Sequence, residues 1–354
     1  MITLESAANR RADPAHGVLP RGKYAGDMML PSLDQIHDAQ NLIYRYMPPT
    51  PQYTWPLINQ RLGTEVWIKH ENHTPVGAFK IRSALVYAHW LKQTQPALDG
   101  IVAATRGNFG QGVGMAARLL GMKAVIVVPH GNSVEKNQAM LAQGVELIEH
   151  GHDFQESLEF ARTLAAERGF VMFESFHETL MLGTATYALE FLQAVPDLDV
   201  VYVPIGMGSS ICGMAAARKA LNLSFEIVGV TAAACRATAL SFKERQIVES
   251  PARTQIADGL ACRKPSPGAM KIIWNHAARI VEVPDAEIAQ AMVIYYQDTH
   301  NLAEGAGAIA LAAALHEKDP NYGKKVGVIL TGGNIDRDLF LTVLSGEACA
   351  ATPA

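Results

Sequence analysis

The chain has 354 residues, 49% of them hydrophobic and 18% charged, with a formal net charge of −4. A chain of that length buries a large core, most simply as two lobes, and the absence of a Lys/Arg run argues against a nucleic-acid partner. No apolar run approaches the roughly 18 residues a membrane span requires, the start of the chain lacks the apolar core of a secretory signal, and Cys212, Cys235, Cys262 and Cys349 are scattered without CxxC spacing, which suits a reducing cytoplasm rather than a zinc site or a disulfide framework.

Residues 1–34 are polar and punctuated by glycine and proline, the composition of an extended arm. Lys80 follows an apolar flank, Pro75-Val-Gly-Ala-Phe79, and precedes Ile81, Ala84, Leu85, Ala88 and Leu91, which recur at helical spacing. Lys80 therefore falls in a first helical turn, where the positive end of the helix dipole disfavours an ammonium ion. Two readings are open. Lys80 snorkels from a helix start, or it is an amine kept neutral to form a Schiff base.

From residue 100 a regular alternation begins. Strands over 101–105, 123–128, 145–148 and 170–174 alternate with helices over 109–120, 134–143 and 154–168. A second series adds strands over 200–204, 225–230 and 325–330 and a helix over 210–221. Such alternation builds parallel sheets covered on both faces. The expected fold is α/β, with two doubly wound lobes. A small lobe spans 100–176, and a large one is made of 1–99 and 177–354. The site is expected in the interlobe cleft, at the C-terminal ends of the strands.

Three turns at strand ends carry chemistry-bearing residues. Thr105-Arg106-Gly107-Asn108-Phe109-Gly110-Gln111 offers hydroxyl, amide and backbone donors to a carboxylate, or is a plain turn. Gly206-Met207-Gly208-Ser209 lies between a strand and a helix. The dinucleotide fingerprint GxGxxG would need glycine where Ile211 stands, and the following strand does not end in an acidic residue. Walker spacing fits from Gly208 to Gly213, but its lysine is replaced by Met214. What remains is a single phosphate or an empty βα turn. Thr331-Gly-Gly-Asn334 presents a hydroxyl to a heterocyclic nitrogen, or only turns the chain.

Together and in this order, the segments resemble the fold-type II (tryptophan synthase β-like) pyridoxal phosphate enzymes, and within them the serine/threonine dehydratases. Ala78-Phe-Lys-Ile-Arg-Ser-Ala84 matches that family's Ser-Phe-Lys-x-Arg-Gly-Ala. Thr105 to Gln111 matches its Ser-Ser-Gly-Asn-His-(Ala/Gly)-Gln, and Gly206 to Gly213 its four-glycine loop. Gln255-Ile-Ala-Asp-Gly259, Glu304-Gly-Ala-Gly-Ala308 and Thr331 to Asn334 match three further segments, so the likeness spans about residues 35–345. It implies pyridoxal 5′-phosphate as cofactor. Lys80 is then the Schiff-base lysine and α-proton carrier, with Phe79 beside the cofactor and Asn108 on its 3′-oxygen. Gly206, Met207, Gly208 and Ser209 cradle the phosphate, and Thr331 meets the pyridine nitrogen. Thr105 and Gly107, with neighbouring amides, hold the substrate carboxylate. The implied reaction is α,β-elimination of water from a β-hydroxy amino acid, threonine or serine by default, giving a 2-oxo acid and ammonia. The implied protein is a cytoplasmic homo-oligomer, a dimer or tetramer. Without a regulatory extension beyond about residue 350, it is expected to be a catabolic enzyme. β-Replacement, as in cysteine synthases, and a non-catalytic amino-acid-binding relative are the competing readings. The Thr105-to-Phe109 turn does not match the Thr-Ser-Gly-Asn-Thr of the former.

The sequence departs from the pattern at four points. Arg106 replaces a serine that serves as the opposite-face acid/base in serine racemisers, which argues against racemisation. Arg106 either pairs with a second substrate carboxylate, as in 3-hydroxyaspartate, or faces solvent or a partner subunit. Phe109 replaces histidine and would accommodate a larger or more apolar β-substituent, as in phenylserine. Met207 and Ser209 replace glycines, which demands backbone φ angles that tolerate a Cβ. Asp258 is a weak candidate cation ligand, equally suited to capping a turn, and no metal site is assigned.

Overall fold

In the computed structural model the described residues are 30–346. The first helix, Leu33–Ile43, starts at a Ser32 capping box, in which the Ser32 and Gln35 side chains each bond the other's backbone N–H. The expectation of an extended arm over residues 1 to about 34 fails at Leu33 and Asp34, which are helical, and residues 1–29 lie outside the described residues.

Ten strands are described: β1 (Gln52–Thr54), β2 (Glu65–His70), β3 (Gly100–Ala104), β4 (Lys123–Val128), β5 (Glu146–Glu149), β6 (Val171–Met172), β7 (Val200–Pro204), β8 (Glu226–Ala232), β9 (Arg279–Val283) and β10 (Lys325–Leu330). They form two sheets. The smaller has the order β5-β4-β3-β6 and is parallel throughout. The larger has the order β1-β2-β10-β7-β8-β9, parallel except for the edge pair β1–β2. The strand expected over 170–174 shortens to β6, a sheet edge with only Ile101–Val171 and Val102–Met172 in register. Central strands β3, β7 and β10 are buried almost throughout, the signature of sheets covered on both faces.

Two helices are buried on nearly every side. Glu178–Ala194 and Gly305–His316 are accordingly apolar almost all round. At Gly183, on the first of them, a Cβ would fall 2.6 Å from Ser83 Cα. Only glycine lets this helix reach the helix Lys80–Thr94.

A buried ion cluster sits at that contact. Arg82 Nε donates to Glu71 at 2.8 Å, and its two Nη groups donate to Glu190 at 2.6 and 2.9 Å. Lys69 Nζ reaches Glu190 at 2.7 Å and the Thr50 carbonyl at 2.7 Å. Arg82, Glu71 and Lys69 are all fully buried. Two cations meet two anions, so the cluster is neutral. Burial alone would raise the Glu190 carboxyl, but Arg82 and Lys69 hold it below its ordinary value.

Replacing Arg82 with methionine would leave two buried carboxylates facing one ammonium. The expected cost is roughly 3–5 kcal/mol, seen as a lower midpoint in urea unfolding. An unchanged midpoint would show that the cluster does not hold this contact together.

Candidate active site

Three strand ends converge on one cavity. Ala104 closes β3, Pro204 closes β7 and Thr331 follows β10, and all three line a solvent-open space of about 880 Å³ between the sheets. This is where ligands bind in open α/β folds.

Lys80 opens the helix Lys80–Thr94 and points into the cavity. The backbone before it is pinned to the end of β10. Phe79 N–H donates to the Thr331 carbonyl at 3.0 Å, Gly333 N–H to the Gly77 carbonyl at 2.9 Å, and Ala78 bridges Gly332. Among the described residues, Lys80 Nζ has no hydrogen bond or ion pair. It lies 4.7 Å from the Phe79 ring centre and 5.8 Å from that of Phe109. Burial pushes its amine below the ordinary value, with Cys262 and Glu304 opposing more weakly. The snorkelling reading does not describe this side chain.

The 206–209 turn delivers the helix Ser209–Ala220 to the cavity. Cys212 N–H bonds the Gly208 carbonyl at 3.1 Å, so the N–H groups of Ser209, Ser210 and Ile211 precede the helical ladder. Gly208 has φ +98°, and a Cβ there would lie 2.6 Å from Ala269 Cβ. A Cβ on Gly206 would lie 2.8 Å from the Gly259 carbonyl oxygen. Met207 and Ser209 are not among the positive-φ residues, which meets the condition set by their Cβ atoms. Glycine stands where space or φ requires it, and donors face the cavity.

On the opposite wall, Thr105, Arg106, Gly107, Asn108 and Phe109 run into the helix Asn108–Leu119. Gly107 N–H is already engaged by Thr105 Oγ1 at 3.0 Å, so the donors left to an anion are the Thr105 hydroxyl and the amides that start the helix. Asn108 is held at both ends. Its Oδ1 accepts from Asn334 at 2.9 Å, and its Nδ2 donates to Glu304. Phe109 packs 5.7 Å from Phe173. Thr331 Oγ1 is buried and within 3.1 Å of the Ala306 carbonyl.

All twelve residues proposed from the sequence line this one cavity. The structure adds others. Lys136, from the helix Val134–Leu141, donates to Asp258 at 2.8 and 3.0 Å and to Glu304 at 3.0 Å. These two carboxylates raise the Lys136 amine despite its burial. Burial raises the Glu304 carboxyl, opposed by Lys136 and Asn108. Asp258 is thus paired with an ammonium, and no cluster of three metal-ligating side chains occurs among the described residues. Ser175 Oγ, on the cavity wall, is buried without a partner among the described residues. Nothing in the sequence around Ser175 or Lys136 distinguishes them from ordinary turn and helix residues.

The sequence pattern described as "Pyridoxal-phosphate dependent enzyme" matches residues 43–332. The chain belongs to this family. An L-threo-3-hydroxyaspartate ammonia-lyase of Saccharomyces cerevisiae is 32% identical over 90% of this chain and 98% of that relative. An L-threonine ammonia-lyase of Geobacter sulfurreducens is 36% identical over 83% of this chain and 73% of that one. The structure of maize serine racemase aligns with a TM-score of 0.83 and 28% identity, covering 91% of this chain and 99% of that chain. The fold is that of the type II enzymes, and the cofactor is pyridoxal 5′-phosphate. A solved threonine deaminase aligns with a TM-score of 0.80 and 29% identity, covering 86% of this chain and 99% of that chain. The residues present fit the cofactor: an amine with lowered proton affinity, and a glycine turn at a helix start whose first N–H groups precede the helical ladder.

Two outcomes follow. Gly208→Ala strains a left-handed residue by roughly 1–2 kcal/mol before any clash, so cofactor affinity should fall at least about tenfold in a fluorescence titration. The second concerns pH. Unfolded Lys80 keeps its proton up to about its ordinary 10.5, whereas folded Lys80 releases it earlier. Stability of the cofactor-free protein should therefore rise with pH between the lowered value and 10.5, and Lys80→Met should flatten that part of the melting-temperature profile.

Proposed function

We propose that the chain eliminates water across the α- and β-carbons of a β-hydroxy amino acid and releases a 2-oxo acid and ammonia. The observation that carries this reading is Lys80: an amine unpaired among the described residues and with lowered proton affinity, in a cavity also lined by the Gly206-to-Ser209 turn. Relatives named as ammonia-lyases for threonine and for 3-hydroxyaspartate support the same reaction class.

When bound, the cofactor supplies an electron sink at the substrate α-carbon. Lys80 would hold it through Nζ, with Phe79 against its ring, Asn108 Nδ2 at its 3′-oxygen and Thr331 Oγ1 at its ring nitrogen. The N–H groups of 206–209 would take the phosphate. The Asn334 and Glu304 bonds on Asn108 fix which way its amide faces. The substrate carboxylate would rest on Thr105 Oγ1 and the amides that open the next helix, in the lobe we assign to 100–176. Lys80 Nζ, once free, would carry the proton at the α-carbon, a transfer worth roughly 10²–10⁴-fold. The Phe79 and Phe109 rings flank that amine at 4.7 and 5.8 Å.

The test is direct. Wild type incubated with L-threonine, L-serine and 3-hydroxyaspartate should give 2-oxo acid and ammonia in equal amounts from at least one of them. Lys80→Ala should lose more than about 10³-fold of that rate and retain its far-ultraviolet circular dichroism. Undiminished oxo-acid formation by Lys80→Ala would remove the assignment.

A further inference from the structure

Most cations in and around the cavity are already paired. Lys136 is held by Asp258 and Glu304, Arg263 by Asp153 at 2.8 Å, and Lys264 by Glu249 at 2.7 Å. Lys80 is committed to the cofactor in the reading above. Arg106 has no ion pair or hydrogen bond among the described residues, and its Nε is buried without a partner. Arg106 stands where the main cavity meets a smaller one of about 500 Å³, and lines both. Phe154, Met207, Ala261 and Cys262 line both spaces as well. That junction is apolar, and burial pushes the Cys262 thiol up to about 12, so the thiol brings no charge.

A guanidinium donor that has lost water and found no partner is unfavourable, and an apolar wall strengthens whatever charge pairs with it. The fork of donors on arginine fits a carboxylate bidentately. Two other anions already have places: the cofactor phosphate at 206–209, and the α-carboxylate at the Thr105 hydroxyl and helix start. We propose that Arg106 receives a second substrate carboxylate, carried on the β-carbon. Arg106 is then a specificity-determining residue, and the preferred substrate is a β-hydroxy dicarboxylic amino acid of the 3-hydroxyaspartate kind. This rests on the elimination reading. The α-proton and β-hydroxyl leave as water. Hydrolysis then takes up one water and releases ammonia, so one 3-hydroxyaspartate gives one four-carbon 2-oxo dicarboxylic acid and one ammonia.

The experiment compares the wild-type holoenzyme with Arg106→Gln and Arg106→Lys. Steady-state rates are taken on the 3-hydroxyaspartates and on L-threonine, and binding of succinate and of butanoate is followed by titration calorimetry. A charge-assisted hydrogen bond lost in a buried site predicts a fall of roughly 10- to 100-fold. In Arg106→Gln, kcat/KM for 3-hydroxyaspartate relative to threonine should drop by that factor, mainly through KM. Succinate affinity should fall in parallel and butanoate affinity should not. Arg106→Lys should lie between the two. A wild type that turns over threonine but not 3-hydroxyaspartate overturns the proposal. So does an Arg106→Gln variant that loses both substrates equally, as an α-carboxylate ligand would, or that sheds cofactor, as a phosphate ligand would. If no β-hydroxy amino acid yields oxo acid, the elimination reading fails. The succinate titration then decides Arg106 separately, and equal affinity in wild type and Arg106→Gln overturns it.

Discussion

Everything at the active site depends on where the helix Lys80–Thr94 begins, and a buried charge cluster holds that helix. Arg82, two residues after Lys80, uses its guanidinium to join Glu71, just after β2, to Glu190 on the helix Glu178–Ala194. Lys69 and Thr50 complete the set. Buried charges are tolerated only when each is paired and its remaining donors are satisfied. Here the cluster is neutral, and its lack of slack fixes the helix in rotation as well as position. With Ala78 bridged to Gly332, Lys80 can emerge only toward the cavity.

The two walls of the cavity come from different sheets, and charge also ties them. Lys136 follows the small sheet's β4, whereas Asp258 and Glu304 belong to segments packed on the large sheet. Glu304 in turn fixes Asn108, which lies on the opposite wall from the phosphate cradle. One network therefore sets the width of the site and orients the amide that would meet the cofactor. It also uses up Asp258, which explains why that carboxylate is not left open for a cation.

Much of the candidate site was legible because its parts are local. A turn at the C-terminal end of a strand places its own residues at the cavity, so Thr105 to Phe109, Gly206 to Ser209 and Thr331 could be singled out from short segments. The strands over 123–128, 200–204 and 325–330 were legible for a related reason: a buried parallel strand is a continuous apolar run between turns. The helices Glu178–Ala194 and Gly305–His316 were not legible as elements, because burial on all sides removes the amphipathic period that marks a helix. The edge strands β1 and β6, of three and two residues, are set by their neighbours rather than by their own composition.

Local sequence located the candidate groups: an amine at a helix start, a glycine turn lacking the nucleotide signatures, and a hydroxyl after a buried strand; the cofactor and the reaction came from the likeness of these segments, taken in order, to a known family. Each group depends on covalent neighbours and so travels with the chain. Which charges cancel is a matter of the folded chain alone. Lys136 meets Asp258 and Glu304 across 122 and 168 residues, and Arg82 meets Glu190 across 108. Sheet order and helix packing set those distances, and local sequence does not encode them. The same packing left Arg106 without a partner among the described residues, because whether a guanidinium is paired depends on what folds against it.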